Sequence, residues 1–396
     1  MSGQFIEIVN ITSCELPITS QFKRISPRKE SLRPQDYDSK FDATTLAFDV
    51  FMSDDKLVFS GPPAYGLEDF FKQENLFLDG QPVGNVPEIQ VLDRTQRNWL
   101  FTETNAQQLK WVHADIEFNI IINQHCHDLF RNKKVLFTLS KNNKFEWICD
   151  WIKFYKIIHH IDAVLFYDNN SDDYTLEELK EYLIKENLDV DIILVPWNFK
   201  YGPQGGVSTG LKNAPWDSDF CQYGMMEHAK ERFLKYAMGV INVDIDELII
   251  SPNGKSVFNE LEQNPALHIS GKWIESIPMD EKAPIRFNNF FYFDRKNYKS
   301  DYKWCINPQK IDYIAQWKVH TVKVKELKVS PNSYYLHYKA INYNWKIRRA
   351  DFIEFNPKNH RLDESLYTVI SKVFPDIKRP ELNYEFTLGE KLKKLF

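Results

Sequence analysis

The stretch MGVINVDIDELII, residues 238–250, decides the fold. An apolar run, interrupted at Asn242, meets a cluster of three carboxylates, Asp244, Asp246 and Glu247. A short run with no polar alternation suits a strand covered on both faces, as in a parallel sheet. Three similar runs precede it: KVLFTLS at 134–140, AVLFYDNNS at 163–171 and VDIILVPW at 190–197. Helical patterns fill the intervals. KFEWICDWIKFYKIIH (144–159) places Trp147, Ile148, Trp151, Ile152, Tyr155 and Ile158 at helical spacing. TLEELKEYLIKEN (175–187) opens with Thr175 and Glu178 spaced as a capping box. SDFCQYGMMEHAKERFLKY (218–236) reads as a third helix. This alternation is the sequence form of an α/β fold, an open, mostly parallel sheet with flanking helices.

Upstream the pattern changes. DATTLAFDVFMSDDKLVFSGPPAYG (42–66) alternates apolar and polar residues until a Gly-Pro-Pro breaker, LFLDGQPVG (76–84) carries an Asp-Gly turn, and WVHADIEFNIIINQHC (111–126) alternates again. Residues 1–131 are therefore expected to form a mostly β accessory domain, with no chemical signature of its own. The main α/β domain is expected over 132–345 and a helical tail over 346–396. In that tail FTLGEKLKKLF (386–396) sets Leu388, Leu392, Leu395 and Phe396 against Lys391, Lys393 and Lys394. A short basic amphipathic helix of this kind rests on an anionic membrane surface or docks on its own domain.

Composition narrows the function classes. The net charge of −5 argues against a general nucleic-acid binder, which needs excess Lys and Arg to neutralise phosphates. From Arg295 onward basic residues outnumber acidic ones by roughly two to one, which suits an anionic ligand or a solvated face. The aromatic share of 15% supplies core volume and flat platforms for sugar or base rings. Cys14, Cys126, Cys149, Cys221 and Cys305 are scattered, odd in number and form no CxxC pair, so a reducing compartment is expected. MSGQFIEIVNITSCELP has no basic segment followed by an apolar one, and no run is long enough to span a bilayer. The expected location is cytoplasmic, free or held peripherally on the inner membrane face.

Ligands of open α/β sheets bind beyond the carboxyl ends of the strands. The polar residues there are Ser140–Asn143, Asp168–Asp173 and Asp244–Glu247. If 238–250 is one strand, Asp244 and Asp246 share a face, because residues two apart do so. One carboxylate then binds a hard divalent cation, Mg²⁺ or Mn²⁺, and the other reaches it through water or contacts ribose. A solvated turn is the plainer reading of the same spacing. Asp168, Asn169 and Asn170 either hydrogen-bond a base and ribose or build an Asx-rich turn.

LSKNNKFEWICDWIKFYKIIHHIDAVLFYDNNSDD (139–173), QYGMMEHAKERF (222–233) and VINVDIDELII (240–250) resemble the core of glycosyltransferase family 92 and the family-2-like GT-A enzymes. Asn142, Glu146, Trp147, Asp168, Asn169, Asn170, Ser171, Gln222, Asp244, Asp246 and Glu247 stand where that pattern puts them. YKWCINPQKIDYIAQWKVHT (302–321) resembles the family's Lys-to-Pro segment leading to a His, and LHYKAINY (336–343) its His-Tyr-Arg element, with Lys339 for Arg. The resemblance spans about 133–345 and leaves the N-terminal third unexplained. It implies a metal-dependent, inverting hexosyltransferase that moves a sugar from a nucleotide donor, UDP-linked, to a glycan or polysaccharide acceptor. It further implies donor contacts from Asn142, Asp168, Asn169, Asn170, Gln222 and Lys303, and a Mn²⁺ or Mg²⁺ site on Asp244, Asp246 and His337. His320 has a weaker claim; a structural histidine is the plainer reading of both.

Two features depart from the pattern. Asn142-Asn143 replaces the usual Asn-Glu, and YGPQGGVSTGLKNAPWDSD (201–219) is a long Gly-rich insert, either a loop near the donor or a surface excursion. The acceptor base is expected after the DxD, at Glu275, Asp280 or Glu281. Glu275 is preferred because Trp273 could stack on an acceptor sugar. Two other functions stay open: a metal-dependent nucleotidyltransferase, which would need a Gly- and basic-rich loop that LSKNNKFEW lacks, and a non-catalytic glycan binder on the same fold.

Overall fold

The computed structural model of the chain describes residues 4–102, 106–206, 209–342, 351–375 and 377. Its centre is a nine-stranded sheet, ordered Ile6–Ile8, Asp191–Pro196, Ala163–Asp168, Lys134–Ser140, Gly239–Asn242, Lys299–Ile306, Ala266–Ile274, Lys328–Tyr338 and Glu247–Ile250. The first five strands run parallel to one another. The remaining pairs are antiparallel except Ala266–Ile274 beside Lys328–Tyr338, so the sheet is mixed but mostly parallel.

The continuous apolar runs have a direct physical cause. Alternate residues of each central strand feed different cores. Leu136, Val164, Phe166, Ile192, Leu194 and Ile241 face one side, packed against the helices Phe145–His159, Leu176–Glu186 and Glu364–Val373. Val135, Phe137, Leu165, Tyr167, Ile193, Val195 and Val240 face the other, packed against the helix Phe220–Ala229 and residues of the N-terminal region. Each such side chain stabilises by about 1.5–3 kcal/mol when fully buried, so both faces select mainly apolar residues. The capping box on Leu176–Glu186 forms as read: Thr175 accepts from the Glu178 N–H, and the Glu178 carboxylate accepts from the Thr175 N–H.

The stretch 238–250 is two strands, not one. Gly239–Asn242 lies inside the sheet and Glu247–Ile250 at its far edge. Residues 243–246 turn between them, closed by the Glu247 N–H donating to the Asp244 carbonyl at 3.1 Å. The same-face argument for Asp244 and Asp246 therefore fails, because it holds only inside a continuous strand.

The N-terminal third is β-rich, with a five-stranded and a four-stranded sheet around a core that includes Phe59, Phe70, Phe71 and Trp111. It is built into the molecule rather than appended. Ile6–Ile8 is the edge strand of the large sheet. Phe48 packs so closely on Gly224 that a Cβ there would lie 2.1 Å from its ring. Asp49, fully buried, accepts from Arg232 at 2.7 Å and Asn123 at 2.8 Å, and lies 2.9 Å from the His228 Nε2. Within 346–396, Glu364–Val373 is helical, capped by Asp363 accepting from the Leu366 N–H. The amphipathic stretch 386–396 lies outside the described residues. Among the described residues no helix is long and apolar enough to cross a membrane.

Candidate functional site

A cavity of about 550 Å³ opens at the carboxyl ends of the parallel strands. Ser140 ends one strand and Lys141 and Asn143 follow it, Asn169 follows the next, Asp244 and Asp246 lie in the turn after the third, and Glu247 opens the edge strand. This is where an open α/β sheet exposes the loops that hold ligands.

Cross-strand register builds its metal-like corner. Glu247 pairs with His337 and His337 with Trp273, so three adjacent strands place these residues in one row. The Trp273 ring stacks on the imidazole, centroids 3.8 Å apart. His337 Nε2 lies 3.0 Å from an Asp246 carboxylate oxygen and Nδ1 lies 3.6 Å from Glu247. One donor atom from each of Asp246, Glu247 and His337 falls within 4.8 Å of the other two. Two carboxylates and an imidazole suit Mn²⁺, and Mg²⁺ if water replaces nitrogen.

Asp244 was expected in this set and stands apart from it. Its carboxylate accepts from the Lys303 ammonium at 2.7 Å, and Lys303 also lies 3.0 Å from Glu247. Lys303 is fully buried, which works against its charge, but Asp244 and Glu247 outweigh burial and hold it protonated above the ordinary lysine range. Burial, reinforced by Asp244 and Asp246, pushes the Glu247 carboxyl up despite Lys303 and His337. Three carboxylates thus share one ammonium and one imidazole. The excess negative charge is what a divalent cation would neutralise.

The other expected donor residues divide. Asn169 lines the cavity, and its amide donates to the Trp197 and Phe199 carbonyls at 2.8 Å, fixing the approach to the Gly-rich insert. Gln222 lines it too, accepting from the Tyr201 hydroxyl at 2.9 Å. Asp168 does not. Its carboxylate accepts the Ser171 N–H at 2.9 Å and hydroxyl at 2.6 Å, which makes it the staple of an Asx turn. Asn142 supports the same turn. It adopts a left-handed backbone, donates its N–H to the Ser171 hydroxyl oxygen at 2.8 Å and accepts from the Asp172 N–H at 2.9 Å. Asn170 is exposed and outside the lining. His320 sits at the rim, its Nδ1 3.0 Å from the Tyr302 carbonyl. Glu275 is buried off the cavity, and both its oxygens accept from Lys339, at 2.6 and 2.7 Å. Trp273, expected to meet an acceptor, lines the cavity and stacks on His337.

The described residues of the Gly-rich insert form a built wall. Gly205 packs against the Pro215 backbone too closely for any Cβ, and the Gly206 N–H donates to the Ala214 carbonyl at 2.7 Å. Arg28 clamps both arms, donating to the Gln204 carbonyl at 2.8 Å, the Pro215 carbonyl at 2.7 Å and Asp217 at 2.9 Å. Trp216 stays 49% exposed and lines the cavity as an aromatic platform.

Sequence reading missed Arg94, Tyr201, Asp219, Tyr223 and Asp301 in the lining. Arg94 comes from the N-terminal region, where no local pattern marks it. Only its left-handed backbone, at an Asp-Arg turn between short strands, sets it apart.

Residues 137–375, more than half the chain, match the family model for glycosyltransferase family 92. No curated protein matches. Among solved structures, the first 349 residues of S. aureus TarS are 10% identical with a TM-score of 0.27, covering 52% of this chain and 61% of that one. An active-site mutant of LgtC is 11% identical with a TM-score of 0.24, over 50% of this chain and 72% of that one. The mannosyltransferase Ktr4p from S. cerevisiae is 12% identical with a TM-score of 0.20, over 36% and 39%.

Proposed function

The chain belongs to glycosyltransferase family 92, and on that premise we propose a cation-assisted sugar transferase of GT-A type. It moves a hexose from a nucleotide donor, UDP-linked, to a hydroxyl of a glycan or polysaccharide, with inversion. The observation that carries the reading is the Asp246, Glu247 and His337 cluster inside the strand-end cavity. Family membership favours sugar transfer over nucleotidyl transfer, and the cluster favours an enzyme over a passive glycan binder.

Asp246, Glu247 and His337 would hold Mn²⁺ or Mg²⁺, which supplies charge neutralisation for the departing diphosphate. The Trp273 ring and the sheet register keep the His337 imidazole turned toward the carboxylates. Lys303 donates to Asp244 and holds its carboxylate at the cavity wall. Trp216 and Tyr223 offer ring faces for base or sugar, while Asn169 and Gln222 offer amide groups. Asn142 and Asp168 serve the donor indirectly, by shaping the turn that carries Asn169.

The acceptor base we assign to Asp301. Asp219 is engaged by Arg94, Asp244 by Lys303 and Asp246 by His337, whereas Asp301 is exposed at the rim, 4.0 Å from His320. The test is a screen of nucleotide sugars with Mn²⁺, read as release of nucleoside diphosphate. Thermal stabilisation by UDP only when Mn²⁺ is present supports the reading. Stabilisation by glycans alone, with no response to any nucleotide, overturns it.

A further inference from the structure

A second cluster of metal-ligating side chains lies where the N-terminal region leads into the large sheet. Asp54 sits at the turn between the strands Asp49–Ser53 and Lys56–Gly61, held in a left-handed backbone. His125 and His127 lie on the segment that leaves the N-terminal region for the large sheet. One donor atom from each of the three lies within 4.8 Å of the others.

The imidazoles are arranged as ligands rather than as core filler. Their rings stack, centroids 4.3 Å apart and 15° from parallel. His127 is fully buried, and its Nε2–H donates to the Glu231 carbonyl at 2.8 Å. That bond fixes the tautomer and leaves a lone pair on Nδ1. A backbone carbonyl on the far nitrogen is the usual outer support of a metal-bound histidine. The Nδ1 atoms of both His127 and His125 are buried with no hydrogen-bond partner among the described residues. A buried imidazole nitrogen left unpaired costs about 1–3 kcal/mol unless something occupies the position. Cys126 points elsewhere, its thiol directed to the Gln124 carbonyl at 3.8 Å.

We propose that Asp54, His125 and His127 form a second cation site, independent of the Asp246 cluster. Two imidazoles and one carboxylate suit a late first-row divalent ion such as Zn²⁺, with water completing the coordination. Zinc bonds are about 2.1 Å long, and the exposed Asp54 side chain has room to adjust to them. Lys235 pairs with the Asp54 carboxylate and must yield it to the ion. The ion would staple the hairpin of the N-terminal sheet to the transferase core. This role does not depend on the sugar-transfer reading.

The experiment is equilibrium dialysis of the full chain against Zn²⁺, with thermal unfolding in parallel. The comparison is among wild type, His125→Ala, Asp54→Asn, Lys235→Met and His337→Ala. The expected result is that His125→Ala and Asp54→Asn each lose one bound equivalent, or weaken it at least tenfold, and lose the Zn²⁺-dependent rise in Tm. His337→Ala should keep that equivalent, and Lys235→Met should bind it at least as tightly. Asp54 is exposed at a turn, so its variant tests the site even if His125→Ala fails to fold. The proposal is overturned if Asp54→Asn binds as much Zn²⁺ as wild type with equal affinity, or if His337→Ala alone removes all bound Zn²⁺.

Discussion

Arg94 of the N-terminal region donates to both carboxylate oxygens of Asp219 at 3.0 Å, across the wall of the strand-end cavity. Its guanidinium also lies 3.8 Å from the centre of the Tyr223 ring. The β-rich region thus contributes a side chain to the site itself, and its partners lie at the start of the helix that carries Gln222.

Arg94→Ala should therefore raise the KM for the nucleotide donor about tenfold and change kcat less. Its loss loosens Asp219 and Tyr223, which shape the ground-state cavity, and uniform binding losses fall on KM. Donor titrations of Arg94→Ala and Arg94→Lys check this. A large fall in kcat at unchanged KM would move Arg94 to the reacting centre.

Asp246→Ala, Glu247→Gln and His337→Ala should each cut turnover by about 10²-fold or more, with the fold retained by circular dichroism. Raised Mn²⁺ should recover part of the His337→Ala loss, since water replaces the imidazole without its fixed orientation. Asp244→Asn should leave Mn²⁺ affinity nearer wild type, because Asp244 is held by Lys303. Metal titrations distinguish the two classes, and equal loss of Mn²⁺ affinity in Asp244→Asn would place it among the ligands.

Asp168→Ala and Asn142→Ala should both weaken donor binding through the same Asx turn. Residues in one hydrogen-bond network couple, so the double variant should lose less than the sum of the singles. Additive losses in a thermodynamic cycle would instead mean that each residue touches the donor separately.

Asp49→Ala should cost about 3–5 kcal/mol in urea unfolding, since it strands the buried Arg232 and His228 that face it. Asp49 does not line the cavity, so activity per folded molecule should hold near wild type.

Stability should also fall with acid through His159. Its Nε2 lies 2.8 Å from the Ile249 carbonyl and its Nδ1 accepts the Val257 N–H at 3.2 Å, so the neutral ring is the one that fits. Burial lowers its pKa to about 4. The unfolded chain, with an ordinary pKa of about 6.5, takes up the proton first. This contribution is fully present above about pH 6.5 and declines toward pH 4, by up to about 1.4 kcal/mol per pH unit. Urea midpoints at pH 8 and pH 5 measure it, and His159→Gln should flatten the slope.

The sequence by itself determined the parallel half of the sheet. Strands buried on both faces must be apolar throughout, and helices between them must keep one apolar stripe, so KVLFTLS, AVLFYDNNS and VDIILVPW could be read with their helices. It also placed the carboxylates of 244–247 at the end of a buried strand, where the structure opens a cavity. Only the tertiary structure decided which of them gather around His337. The turn at 243–246 sends Asp244 to Lys303, while pairing with Lys328–Tyr338 sets Glu247 opposite His337, some ninety residues away in sequence. Arg94, Trp216 and the Lys339 pairing that holds Glu275 off the cavity were equally out of reach of a linear reading. Local periodicity records which face of an element is buried, and carries no trace of the long-range register that brings distant polar side chains to one point.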